Sequence, residues 1–279
     1  MPPGTGKLLG ALGAAVAFAC GAPERGSAAP IPRPQHTIVV VEENKSLAQI
    51  DGNASAPFIN GLFVRGALFT NAHGVTHPSL PNYLALFAGV TNDNGDGCPA
   101  TGISVRAANL ASELAARRLS FAGYSEALPA AGSTVCAAGT YARKHAPWVA
   151  FSNVPKHAGR PFSALPAYDA LPTVAFVVPG VDDDMHDGTI AAGDDWLARH
   201  LGKLVAWANA HDSLVVLTWD EGYDRHNTVP TVLLGPMVKP GRYTQRIDHL
   251  SVLRTIEDAY GLPHAGNTGT ALPLQGCWR

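Results

Sequence analysis

Thr37-Ile38-Val39-Val40-Val41-Glu42-Glu43-Asn44 is the stretch that decides the architecture. Its first part is apolar on both faces and rich in β-branched side chains. That is the pattern of a strand buried within a parallel sheet, not of one with a wet side. It then stops abruptly in two acids and an amide. Two later runs repeat the pattern. Residues 173–178 lead into Asp182-Asp183-Asp184-Met185-His186-Asp187-Gly188, and residues 214–218 run into Trp219-Asp220-Glu221-Gly222, with His226 just beyond.

Between these strands lie helical patterns at 57–64, from Ser79 onward, and at 107–118, 190–210 and 250–260. Further strands are expected at 67–71, 120–124 and 231–234. Residues 91–101 read as a loop, and residues 127–172, rich in Pro, Gly and Ala, as a long excursion. Strands alternating with helices predict an α/β fold, a mostly parallel central sheet sandwiched between helices. In such sheets the ligand crevice lies beyond the carboxyl ends of the strands. The polar clusters that follow the three buried strands are therefore expected to converge.

A second stretch, Thr76-His77-Pro78-Ser79-Leu80-Pro81-Asn82-Tyr83, carries one hydroxyl between two prolines. Proline is tolerated in a first helical turn, so a helix can begin at or just past the serine. Ser79 is then either an N-cap or a nucleophile set among outward-pointing N–H groups. The oxygen-bearing residues Glu43, Asn44, Asp220 and Glu221 suit one hard or borderline divalent cation, which would make a neighbouring Ser79 hydroxyl nucleophilic. His186 and His226 are placed to hydrogen-bond a phosphoryl group or donate a proton to a leaving oxygen. Asp182 to Asp184 reads as a solvated charge run. His73 has no partner that the sequence names, His77 reads as shaping its loop, and His249 as a capping or packing residue. Lys45 is expected to face water. Trp196, Trp207 and Trp219 belong to core faces.

The 279 residues suit one large domain, assigned to 30–279. Hydrophobic residues make up 46% and charged residues 15%, which excludes a disordered chain. A net charge of −2 gives no footprint for nucleic acid or anionic lipid. Residues 1–29 read as an export signal: Lys7, an apolar run from Leu8 to Cys20, then small residues through Ala29. Lipid attachment at Cys20 is the alternative, disfavoured by the bulky Phe18. No later run is long enough to cross a membrane, so the product is expected in the periplasm or outside the cell. Of the remaining cysteines, Cys98 and Cys136, both in polar Gly/Ala-rich loops, are the expected pair, leaving Cys277. No zinc-type spacing is present.

The Glu-Glu-Asn strand end, His-Pro-Ser-Leu-Pro-Asn-Tyr, Asp-Met-His-Asp-Gly and Trp-Asp-Glu-Gly, in this order, resemble the bacterial phosphoesterase family. That family contains acid phosphatases and phospholipases C and belongs to the alkaline phosphatase superfamily. The resemblance spans residues 37–263. It implies that Ser79 is a nucleophile that becomes phosphorylated, that Glu43, Asn44, Asp220 and Glu221 surround one metal ion, and that His186 and His226 face phosphate. Asp-Glu stands where classical alkaline phosphatases have Asp-His, which argues against a second tightly held metal. The implied function is an exported, metal-dependent phosphatase acting on a small phosphate monoester. The rivals are a phosphodiesterase of phospholipase C type and a secreted binding module with an inactive site.

Overall fold

The computed structural model describes residues 30–279, together with Met1, Pro2, Gly4 and Gly6. The expected export signal and Cys20 therefore lie outside the described residues. Strand β1 (Thr37–Glu42) is buried at every position, and its neighbours explain why. It pairs in parallel with β8 (Val174–Val178) on one side and β9 (Leu214–Trp219) on the other. Flanked on both sides and covered on both faces, β1 has no residue that meets water.

The remaining strands are β2 (Ala67–Phe69), β3 (Ala72–His73), β4 (Phe121–Ser125), β5 (Ala137–Ala138), β6 (Tyr141–Ala142), β7 (Gly159–Pro161), β10 (Thr231–Leu234), β11 (Gly241–Tyr243) and β12 (Ile247–Asp248). The main sheet has eight strands in the order β11-β2-β10-β9-β1-β8-β4-β7. Strand β10 runs antiparallel to β9 and β2, and the other pairings in this sheet are parallel. The helices are α1 (Leu47–Ile50), α2 (Pro57–Arg65), α3 (Ser79–Ala88), α4 (Leu110–Ala116), α5 (Ile190–Ala210) and α6 (His249–Tyr260).

Local chemistry sets the element ends. Helix α2 starts at Pro57, and the orphan N–H groups of Phe58 and Ile59 donate to the buried Asp194 carboxylate of α5 at 3.1 and 2.8 Å. One acid thus caps one helix and ties it to another. Helix α4 is shorter than its sequence pattern because Asn109 caps it, accepting from Ser112 N at 3.0 Å. The strand expected at 67–71 is two pieces: β2 joins the main sheet, while β3 leaves it to pair with β12. The excursion at 127–172 is not free of order. It carries a small β5–β6 hairpin, several 3-10 turns, and β7, which adds to the sheet edge beside β4. Cys98 and Cys136 form the expected disulfide, with Cα atoms 5.9 Å apart, and Cys277 is free and buried. Trp196 and Trp219 are core residues, and Trp207 is half-buried against the core.

Candidate active site

The site is built outward from Glu43, the first residue past β1, whose side chain is wholly buried. Helix α3 presents two hydroxyls to it. Ser79 Oγ donates to Glu43 Oε2 at 3.0 Å, and Tyr83 OH donates to Glu43 Oε1 at 2.7 Å. The two lie four residues apart and so share one helix face. Ser79 is not an N-cap: it is the first residue of α3, and its hydroxyl faces the acid instead of the helix backbone. The open N–H of Leu80 is taken by Asp96 Oδ1 at 2.9 Å. Asn82 stiffens the approach to the serine. Its Oδ1 accepts from Val75 N and Thr76 N at 2.8 and 3.1 Å, and its Nδ2 donates to the carbonyls of Thr76 and Pro78 at 2.8 and 3.0 Å.

Strand β9 delivers Asp220. Its Oδ1 accepts from the Asn44 backbone N–H at 3.0 Å. Asn44 reaches this position by turning into the left-handed region at φ 59°, which asparagine tolerates better than most residues. Gly222 is required two residues on, because a Cβ there would stand 2.2 Å from the Thr228 carbonyl oxygen. Beyond β8, Asp184 is wholly buried, which corrects the reading of residues 182–184 as a solvated run: Asp182 is exposed, Asp184 is not.

Three acids in one dry place disfavour one another's ionisation. Burial, then the charges of Asp220 and Asp184, pushes the Glu43 carboxyl well above its ordinary range. Burial and neighbouring Glu221 push Asp220 up to about 7, and burial pushes Asp184 up to about 7. Asp220 Oδ2 and Asn44 Oδ1 are buried and accept no hydrogen bond. Buried lone pairs without donors, beside repelling carboxyls, are the environment that a hard cation satisfies. The residues present therefore fit a divalent ion held by Glu43, Asn44 and Asp220. Glu43, His145 and His186 also offer ligand atoms within 4.8 Å of one another.

Several residues stand differently from their sequence reading. Glu221 is buried, and its Oε2 accepts from His77 Nδ1 at 2.7 Å. His77 is thus a site residue, half-exposed and stacked near Tyr223 with ring centroids 6.1 Å apart. His186 is at the site: Nδ1 donates to Asp187 Oδ1 at 2.7 Å, leaving Nε2 to accept from Lys144 Nζ at 3.0 Å. Lys144 Nζ also donates to Asp96 Oδ2 at 2.8 Å. His226 is exposed and its Nε2 accepts from Arg225 Nε at 2.7 Å. His73 is structural, its ring bonded to the His226 carbonyl and to Asn71 Oδ1, both at 2.8 Å. His249 donates from Nε2 to the Asp220 carbonyl, a packing role as expected. Lys45 does not simply face water: its Nζ donates to the Met185 carbonyl at 2.7 Å.

A family model described as the phosphoesterase family matches residues 53–263. The chain belongs to the phosphoesterase family. It is 52% identical over 258 residues to a phosphatidylinositol-3-phosphatase of Mycobacterium tuberculosis, covering 90% of this chain and 85% of that one. It is 31% identical over 228 residues to an acid phosphatase of Aspergillus fumigatus, covering 72% of this chain and 50% of that protein, so it spans about half the length of this fungal relative. Among solved structures, an alkaline phosphatase superfamily protein from Vibrio parahaemolyticus superposes with a TM-score of 0.61 at 11% identity, covering 88% of this chain and 72% of the other. A phosphonate monoester hydrolase from Silicibacter pomeroyi gives 0.59 at 11%, covering 88% and 78%. These neighbours share the alkaline-phosphatase-like fold.

In this phosphoesterase, a hydrolase of phosphoric esters, sequence reasoning missed two neighbours in the candidate site, Lys144 and His145. His145 is 2% exposed, between Glu43 Oε1 at 3.1 Å and Asp184 Oδ2 at 3.2 Å, its ring stacked on Tyr83. Burial, then the charges of Lys144 and His186, holds its pKa well below the usual range. It lies inside the excursion at 127–172, and the dipeptide Lys144-His145 ahead of Pro147-Trp148 was its one signal.

Proposed function

We propose that the chain is an exported, metal-dependent phosphatase that hydrolyses phosphate monoesters through a phosphoserine at Ser79. The observation that carries this reading is the Ser79 hydroxyl at 3.0 Å from Glu43, among buried carboxyl oxygens that have no donors. A bound divalent ion would supply Lewis-acid stabilisation of the serine oxygen and of the developing charge. Glu43, Asn44 and Asp220 would hold it, with Glu221 beside them.

Ser79 Oγ forms a bond to phosphorus as the ester oxygen departs in line. Its proton has an acceptor in Glu43. Lys144 supplies the donor to the phosphate oxygens, held in place by His186 and Asp96. His77, fixed by Glu221, stands at the mouth to protonate the departing alkoxide. Water then cleaves the phosphoserine, releasing phosphate and restoring the hydroxyl. This proposal gives His77 the part that the sequence assigned to His226.

The names of the relatives, phosphatidylinositol-3-phosphatase and acid phosphatase, support monoester hydrolysis. The disulfide supports export to an oxidising compartment. Among the described residues no helix is long and apolar enough to cross a membrane. Residues 30–279 form the one phosphoesterase domain in this reading, and residues 1–29 the export signal.

The test is metal analysis of the purified protein, turnover of matched mono- and diesters, and rapid quench with radiolabelled substrate. We expect one tightly held divalent ion, monoester preference, and label on Ser79. Ser79→Ala should lower aryl phosphate turnover about a thousandfold or more. Near-normal turnover by that variant would refute the assignment.

A further inference from the structure

We propose that Tyr223 is a specificity-determining residue: its ring stacks on the flat face of an aromatic alcohol esterified to the phosphate that Ser79 attacks. The inference rests on the phosphatase reading and names the class of leaving group. Every other Phe, Tyr and Trp among the described residues is buried or partly buried, whereas Tyr223 is 66% exposed. Its position ties it to the chemistry. It stands two residues past Glu221, in the loop beyond β9. Its ring lies nearly parallel to that of His77, with 21° between the planes and 6.1 Å between the centroids. His77 precedes Ser79 by two residues and is bonded to Glu221 through Nδ1 at 2.7 Å. Burial, then the charges of Glu221, Asp220 and Glu43, pushes the Tyr223 hydroxyl up to about 12. Glu43, which accepts from Ser79, thus acts on this side chain as well.

The loop that carries the ring is fixed in advance. Gly222 N donates to Asn227 Oδ1 at 2.7 Å, and Asn227 Nδ2 donates to the Thr76 carbonyl at 2.9 Å. Gly74 N donates to the Asn227 carbonyl at 2.9 Å. These bonds hold the Tyr223 loop against the segment that leads into His77, so little ordering is left to a ligand that covers the ring. The polar groups next to Tyr223 are already engaged. Asp224 accepts from His226 N at 2.8 Å, from Thr228 N at 3.0 Å and from the Thr228 hydroxyl, and the His226 ring is bonded to Arg225. What remains on offer is a flat aromatic face, which favours another flat ring. Reach narrows the choice further. With Nδ1 engaged, His77 presents Nε2 to the ester oxygen, and the ring beside it can cover a leaving group whose own ring lies one or two bonds from that oxygen.

The experiment uses the full chain and two monoesters, benzyl phosphate and cyclohexylmethyl phosphate. Their alcohols have nearly the same acidity and reach, but only one carries a flat aromatic ring. We expect the wild type to favour the benzyl ester about two- to tenfold in kcat/KM, although the saturated ring is the more apolar. Tyr223→Phe should keep that preference. Tyr223→Leu, which keeps apolar bulk without the flat face, should bring the ratio to about one. Equal kcat/KM for the two esters in the wild type overturns the inference, as does a preference that survives in Tyr223→Leu or is lost in Tyr223→Phe. In these cases both esters are still hydrolysed and the phosphatase reading stands. If neither ester is hydrolysed, the phosphatase reading fails, and the Kd values of phenethylphosphonate and cyclohexylethylphosphonate then judge the ring alone. Tighter phenethylphosphonate binding in the wild type but not in Tyr223→Leu supports the inference, and equal binding overturns it.

Discussion

Replacing Glu113 by Gln should raise stability at neutral pH and leave it unchanged in acid. Glu113 on α4 is 5% exposed and Glu257 on α6 is wholly buried. Both oxygens of Glu113 and Oε2 of Glu257 have no hydrogen-bond partner, while Glu257 Oε1 accepts from Ala265 N at 2.9 Å. Burial, then the charge of Glu257, pushes Glu113 from 4.5 to about 8. Burial pushes Glu257 to about 7, offset in part by the Ala265 N–H and by the charges of His264 and Arg254. The folded pKa of Glu113 thus lies above the unfolded one. The protonated acid costs nothing below pH 4.5. Above it the unfolded chain releases a proton that the folded chain keeps, and stability falls by about 1.4 kcal/mol per pH unit until the folded group titrates. At pH 7 this amounts to about 3 kcal/mol. Gln is a neutral match in shape and removes the penalty. For a domain of this size the gain corresponds to roughly 6–12 °C in Tm at pH 7, vanishing near pH 4.5. Thermal unfolding of both proteins from pH 4.5 to 8 reads it directly. Two curves running parallel over that range would refute the reasoning.

Tyr83→Phe should keep the fold and lower kcat/KM by about 10–100-fold, because Glu43 loses the donor that orients it. His145→Asn should cost about a hundredfold or more in turnover, whereas His226→Asn, exposed and turned to Arg225, should change it less than about threefold; equal losses would return His226 to the site. Dialysis against a chelator should abolish turnover and lower Tm, and a divalent ion should restore both. Replacing Cys98 and Cys136 together by Ser opens a crosslink across 38 residues and should cost roughly 2–4 kcal/mol, read as a fall in denaturant midpoint.

The sequence by itself determined the sheet and the polar residues that stand at its strand ends. A strand buried on both faces is written mostly in apolar residues, so the acids and amide that follow mark where it ends. That is why the ends of β1 and β9 located Glu43, Asn44 and Asp220, and why two prolines around one hydroxyl located Ser79. The bounds of α5 and β10 were legible for the same reason, from sustained periodicity. What only the tertiary structure decided was which side chains share a space across long loops. His145 comes from a segment without periodicity and is fixed by burial between Glu43 and Asp184. Asp184 is buried and Asp182 is not, although the residues are alike and adjacent. His77 is bonded to Glu221 across 144 residues, whereas the His226 ring is bonded to its chain neighbour Arg225. Spacing along a chain encodes local geometry. The partner of a polar group on a loop depends on where the other loops fold.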